Sequence, residues 1–132
     1  MDRVFLDANI LFSAANGLST LDRLWGLSKE KKCILIVSQY VIEEARRNLT
    51  TKKQLRKLES YLIGMDIAQE ADPNMDCPMA LPDKDKPVLM AAVSAKADYL
   101  LTGDIRHFGK YFGKEITGVK ILRARDYFIS NC

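Results

Sequence analysis

The sequence has few cysteines and no long apolar run, and both absences exclude whole classes of protein. Cys33, Cys77 and Cys132 are too few and too scattered for a disulfide framework or a zinc site, which favours a reducing, cytoplasmic compartment. No stretch approaches the ~20 apolar residues that span a bilayer. The N-terminal MDRVFLD also lacks the basic and apolar regions of a secretory signal. We therefore expect no membrane association.

Histidine is scarcer still, since His107 is the only one in the chain. A lone histidine flanked by Arg106 and Phe108 is more typical of a structural residue or a phosphate contact than of a catalytic base. No histidine is therefore expected to take a leading part in the chemistry.

The chain has the length and the composition of an ordinary globular domain. Its 132 residues are 48% hydrophobic and 28% charged, which is enough apolar material to bury a single core. No linker, internal repeat or low-complexity segment divides the sequence. We therefore predict one domain over residues 1–132.

Short apolar segments alternate with helical patterns along the chain. Strands are predicted over residues 3–6, 33–37, 99–101 and 119–122, with a weaker one over 65–68. Helices are predicted over residues 39–49, 50–64 and 88–96, and residues 72–82 form a loop. Strands that alternate with helices favour a parallel sheet covered on both faces, so the predicted fold class is α/β.

Four carboxylates follow strands or begin the helices beside them. Asp7 comes directly after the first strand, and Asp104 follows the strand over 99–101, behind a Gly103 that suggests an unusual backbone conformation. Glu44 lies in the helix after the second strand, and Asp85 precedes the helix over 88–96. Ligands of open α/β sheets bind beside the carboxyl ends of the strands, so these side chains are predicted to share one cleft.

Clustered carboxylates predict a metal site. They repel one another and their pKa values rise, an arrangement that a divalent cation would neutralise. Oxygen ligands with no histidine or cysteine nearby favour Mg²⁺ or Mn²⁺ over Zn²⁺. Such a site supports phosphodiester hydrolysis. Two neighbours remain open as ligands, because Asp83 competes with Asp85 and Glu43 competes with Glu44.

The net charge of +3 is modest, but the basic residues are concentrated. Residues 45–58 carry several lysines and arginines and no acidic side chain. The ordinary interpretation is a solvated helix face, and the functional one is a surface that contacts phosphates. The candidates for RNA contact are Arg46, Arg47, Lys52, Lys53 and, further along the chain, Arg106.

Three segments carry a resemblance to a known family. FLDANIL, SQYVIEEA and PDKDKPVLMAA…ADYLLTGDIRHF resemble the signature regions of PIN-domain nucleases, and the ADYLLTGD run is the most specific. Many members resemble the toxins of bacterial and archaeal toxin–antitoxin pairs. The resemblance implies a metal-dependent endoribonuclease with a parallel sheet of about five strands.

The resemblance also implies which residues act. The family's catalytic and metal-binding acidic residues fall on Asp7, Glu44, Asp85 and Asp104. Asn9 occupies the polar position after the first aspartate, and Thr102 matches a hydroxyl near the metal. The implied cofactor is Mg²⁺ or Mn²⁺. The implied partners are an RNA substrate, a cognate antitoxin protein and a second copy of the chain.

Two other functions fit parts of the pattern. A first strand that ends in an aspartate also resembles haloacid-dehalogenase-type phosphatases, which form an aspartyl phosphate. Those enzymes need a second aspartate two residues on, where this chain has Asn9. The other alternative is an inactive PIN-like scaffold that binds RNA or protein, and the four filled acidic positions argue against it.

Overall fold

A computed structural model describes residues 1–131, except for the side chains of Ser19 and Asn131. Cys132 lies outside the described residues. The strands are β1 (Asp2–Leu6), β2 (Cys33–Ser38), β3 (Asp66–Ala68), β4 (Tyr99–Leu101), β5 (Glu115–Ile116) and β6 (Val119–Leu122). The helices are α1 (Ala8–Ala15), α2 (Asp22–Lys29), α3 (Gln39–Asn48), α4 (Lys52–Ile63), α5 (Lys86–Ser94), α6 (Ile105–Phe108) and α7 (Ala124–Asn131).

The strands form one sheet in the order β3-β2-β1-β4-β6-β5, which confirms the predicted α/β class. All neighbouring strands run parallel except β5 and β6, which pair antiparallel. The sheet therefore has one strand more than the five predicted. β5 was missed because it contains two residues, and Thr117 and Gly118 turn it back with φ angles of 49° and 86°.

The central strand β1 shows why both faces of the sheet are covered. Val4, Phe5 and Leu6 are consecutive and are all fully buried, although successive side chains of a strand point to opposite faces. Such continuous burial is typical of a parallel strand between two layers of helices. None of the helices within residues 1–131 is long and apolar enough to cross a membrane.

A side-chain cap begins helix α3, and a proline in the first turn begins helix α5. Ser38 accepts a hydrogen bond from Val41 N and begins α3 directly at the end of β2. Helix α5 has Pro87 in its first turn, as predicted, and spans residues 86–94 where the sequence predicted 88–96. Each of these two helices therefore begins close to the carboxyl edge of the sheet.

Candidate active site

The four predicted carboxylates line one open cleft of about 480 Å³ beside the carboxyl ends of β1 and β4. Asp7 follows β1, Asp104 follows β4, Glu44 comes from α3 and Asp85 precedes α5. Their separation in sequence is large, so only the sheet order brings them together. The other lining residues are Ala8, Asn9, Phe12, Asn48, Lys84 and Gly103.

The structure distinguishes the competing carboxylates. The Asp83 side chain is 99% exposed and pairs with Lys86 at 3.2 Å, whereas Asp85 is buried and faces the cleft. Glu43 pairs with an arginine on its own helix, whereas Glu44 lines the cleft. The geometry therefore favours Asp85 and Glu44 over their neighbours.

Asp7 is buried and fully engaged by hydrogen bonds. Its Oδ1 accepts from Ala8 N at 2.7 Å, and its Oδ2 accepts from the Thr102 hydroxyl at 2.8 Å and from Asn9 Nδ2 at 3.3 Å. Burial raises the pKa of Asp7 to about 6, the hydrogen bonds oppose this shift, and the charges of Glu44 and Asp85 add to it. Asp7 is thus held in one orientation at an electrostatic cost.

Asn9 and Gly103 connect the two strand ends that carry aspartates. Asn9 Oδ1 accepts from Gly103 N at 2.7 Å, and Asn9 Nδ2 donates to the Thr102 hydroxyl at 3.2 Å. A Cβ on residue 103 would lie 3.3 Å from Asn9 Oδ1. Gly103 has no left-handed φ angle, so the expected unusual backbone conformation was wrong. Asn9 approaches residue 103 closely, so a larger residue there would have to displace the Asn9 amide by a few tenths of an ångström.

His107 lies between two of the carboxylates. Its Nδ1 is 2.9 Å from Asp104 Oδ2, with hydrogen-bond geometry, and 2.8 Å from Asp85 Oδ2, without it. Asp104 Oδ1 also caps α6 by accepting from His107 N at 3.1 Å. Burial and the charge of Asp104 raise the pKa of Asp85, and His107 opposes the shift. The expectation that no histidine lies near the acidic residues was therefore wrong.

The donor atoms of this cluster fit a divalent cation. Asp85, Asp104 and His107 each offer one ligand atom, and these atoms all lie within 4.8 Å of one another. Asp85 Oδ2 is buried and makes no hydrogen bond within the described residues. A buried carboxylate oxygen without a hydrogen-bond partner is costly, and a bound cation would satisfy it.

Both the sequence and the fold of this chain are similar to those of known proteins. Residues 3–106 match the sequence model of the PIN domain. The chain belongs to the PIN-domain family. No curated protein matches it significantly. One solved structure is similar. It is a chain in the crystal structure of VapBC2 from Rickettsia felis, in which VapBC2 is bound to a DNA fragment from its promoter. Its TM-score is 0.66 at 19% identity, over 92% of this chain and 98% of that chain, which shows the same fold.

Not all of the predicted basic residues of this PIN domain are free to contact a ligand. Arg46 pairs with Glu43 at 2.6 Å and with Glu59 at 2.7 Å. Its charge is therefore largely neutralised within the protein. Arg47, Lys52, Lys53 and Arg106 are exposed.

Two polar residues that sequence analysis missed also line the cleft of the PIN domain. Lys84 and Asn48 contribute to its wall, and with Tyr40, Glu44 and Arg47 they line a second, adjoining depression. The sequence held no signal for Lys84, because Glu43 and Lys86 also adjoin cleft-facing acidic residues and do not line the cleft. Lys84 and Arg47 thus place positive charge directly beside the acidic cleft.

Proposed function

We propose that this PIN-domain protein is a metal-dependent endoribonuclease that hydrolyses RNA phosphodiester bonds. The observation that carries the proposal is the single cleft into which four separate segments of the chain bring Asp7, Glu44, Asp85 and Asp104. Gathering four carboxylates opposes folding through their mutual repulsion. A functional site explains why the fold tolerates that cost.

The residues that would hold Mg²⁺ or Mn²⁺ are those with cleft-facing carboxylates, with Asp85 and Asp104 at the centre. A bound divalent ion supplies Lewis acidity, which lowers the pKa of water and neutralises charge on the phosphate. The protein contributes fixed ligands: Asn9 and Thr102 hold Asp7, and the first turn of α6 holds Asp104. With its pKa near 6, Asp7 is mostly ionised at neutral pH.

The cations beside the cleft suit the RNA backbone. Lys84 and Arg47 border the acidic residues, and Arg106 lies on α6 next to Asp104. Lys52 and Lys53 begin α4 and are exposed. Phosphates bound by Lys84 and Arg47 would hold an RNA strand beside the carboxylates.

We further propose that the protein is the toxin of a toxin–antitoxin pair, acting in the cytoplasm with a cognate antitoxin. The fold shared with a chain of the VapBC2 structure supports this role. The test is genetic: a neighbouring reading frame that encodes a small DNA-binding protein should relieve growth arrest and copurify with this chain. The mass of the purified protein would show whether two copies associate.

The nuclease proposal is tested by incubating the protein with a panel of single-stranded and structured RNAs. Cleavage should need Mg²⁺ or Mn²⁺, stop in EDTA and be lost in Asp7→Asn. Asp83→Asn is the matched control, because the same change on an exposed side chain should leave cleavage intact. A parent that cleaves no RNA and behaves like Asp7→Asn would instead support an inactive scaffold.

A further inference from the structure

One potential metal donor lies against two of the cleft's carboxylates and is not itself acidic, the imidazole of His107. Its Nδ1 lies 2.8 Å from Asp85 Oδ2 and 2.9 Å from Asp104 Oδ2, so the ring bridges the two carboxylates. The His107 side chain is 23% exposed and thus reaches solvent. Helix α6 holds the ring there, because the carboxylate of Asp104 also accepts the His107 backbone N–H.

A purely structural role leaves part of this geometry unexplained. Asp104 is already fixed by capping α6, so it does not need the ring for its position. Asp85 Oδ2 is buried and lacks a hydrogen bond, although Nδ1 is close to it. A side chain placed only to satisfy Asp85 would meet that oxygen with hydrogen-bond geometry. The ring instead meets Asp104 Oδ2 with hydrogen-bond geometry and leaves the same nitrogen 2.8 Å from Asp85 Oδ2.

We propose that His107 Nδ1 is a ligand of the divalent cation, alongside Asp85 and Asp104. The inference rests on the proposed metal site and specifies its ion. Of the two ions proposed for this site, Mg²⁺ depends the more strictly on oxygen ligands, whereas Mn²⁺ is a first-row transition metal that can also take an imidazole nitrogen. A ligand set with two oxygens and one nitrogen therefore makes Mn²⁺ the preferred ion over Mg²⁺.

The test exploits the fact that the chain has a single histidine. Untagged protein is loaded with Mn²⁺, and pulsed electron paramagnetic resonance detects nitrogen nuclei coordinated to the ion. Any imidazole nitrogen in the spectrum must belong to His107. In parallel, dissociation constants for Mn²⁺ and Mg²⁺ are measured for the parent, for His107→Gln and for Lys110→Gln, an exposed control close to α6.

The parent should show imidazole nitrogen on Mn²⁺, and the signal should vanish in His107→Gln. The preference for Mn²⁺ over Mg²⁺ should fall at least about tenfold, the scale on which even residues outside the ligand shell alter metal affinity. Lys110→Gln should keep both the signal and the preference. Should His107→Gln not fold in EDTA, the parent spectrum alone decides.

The outcomes separate this inference from the proposed function. Mn²⁺ that binds the parent without imidazole nitrogen overturns the role of His107 and leaves an all-oxygen metal site, with the nuclease proposal intact. An unchanged preference for Mn²⁺ over Mg²⁺ in a folded His107→Gln variant would also show that His107 is not a ligand of the ion. A parent that binds neither ion, and cleaves no RNA, overturns both proposals.

Discussion

The Thr102 hydroxyl donates a 2.8 Å hydrogen bond to Asp7 Oδ2 and so joins the ends of β4 and β1 inside the protein. Thr102 is fully buried and Asp7 is nearly so. The bond opposes the rise in pKa that burial imposes on the carboxyl, because it favours the ionised form. Asp7 nevertheless keeps a pKa of about 6, well above its ordinary value of 3.8.

This raised pKa predicts how stability changes with pH in EDTA. Between pH 4 and pH 6 the folded protein holds a proton on Asp7 that the unfolded chain has released, so this group's contribution to the free energy of unfolding falls as pH rises. Asp7→Asn lacks that titration. The unfolding free energy of the variant, minus that of the parent, should rise by up to about 3 kcal/mol across this window.

Urea denaturation at half-unit steps from pH 4 to pH 7.5 measures this difference. Any hydrogen bond that the asparagine loses costs the same at every pH and does not affect the slope. Asp83→Asn, on an exposed side chain, should give a flat difference. A flat line for Asp7→Asn as well would show that the carboxyl is not perturbed.

Asp104→Asn should separate the metal site from helix capping. Asparagine also caps helices well, so α6 should keep its first turn while the repulsion with Asp85 disappears. The variant also loses the acceptor of the 2.9 Å hydrogen bond from His107 Nδ1, so in EDTA at pH 8 the two changes oppose each other and it should melt within a few degrees of the parent. With metal at 100 times Kd the parent should gain about 2.7 kcal/mol, and the variant less.

Four melting curves decide the matter, two proteins each with EDTA and with Mg²⁺ or Mn²⁺. A variant that melts more than a few degrees below the parent in EDTA and gains as much from the metal as the parent would make Asp104 a structural residue. The shared metal site would then be wrong.

Arg46 and Arg47 are neighbours on α3 with different surroundings, so they form a matched pair for RNA binding. Arg46 is paired with two glutamates, whereas Arg47 lines the depression beside the cleft. In the Asp7→Asn background, which should not cut RNA, Arg47→Gln should lower the salt slope of single-strand binding by about 0.7. Arg46→Gln should change it much less.

Fluorescence anisotropy over a series of salt concentrations gives both slopes. Adding Lys52→Gln and Lys53→Gln to Arg47→Gln should lower the salt slope of RNA binding further, by a similar amount for each lost phosphate contact. If all variants and the parent have equal salt slopes, the basic residues within 45–58 form a solvated helix face and do not contact RNA.

Gly103→Ala should disturb the cleft through Asn9. The added Cβ would lie 3.3 Å from Asn9 Oδ1, so the Asn9 side chain, which accepts a 2.7 Å bond from Gly103 N, must shift by a few tenths of an ångström. We expect a stability loss of about 1 kcal/mol, the worth of one hydrogen bond, and a clear loss of RNA cleavage. Gly64→Ala is the control, since nothing lies near its Cβ position and its φ is −91°. Similar behaviour of the two variants would exclude a role for the Asn9 contact.

Most of the fold was predictable because its signals are local. The buried run at Val4 to Leu6 and the apolar run at 99–101 are short and continuous, as strands inside a parallel sheet must be. An acidic residue beside each strand end then predicts the shared cleft from topology alone. Whether the four carboxylates bind metal and cleave RNA stays a prediction.

The details that were missed depend on contacts between distant elements. Glu59 reaches Arg46 from the next helix, and no spacing in the sequence shows that α3 and α4 pack at this point. The sequence analysis assigned His107 a structural or phosphate-binding role from its neighbours Arg106 and Phe108. The useful signal was its spacing of three residues from Asp104, which brings the two together because Asp104 caps the start of α6. Local patterns do not contain such pairings.

The place of β1 in the middle of the sheet has a consequence for synthesis on the ribosome. This strand is made before the other five and can pair with β2 once residues 33–38 follow, yet its other edge stays open until residues 99–101 have been made. An unpaired apolar edge promotes association between chains, and pairing over such distances slows folding. We therefore expect the growing chain to need protection from aggregation, and the cleft to stay incomplete until Asp104 has emerged.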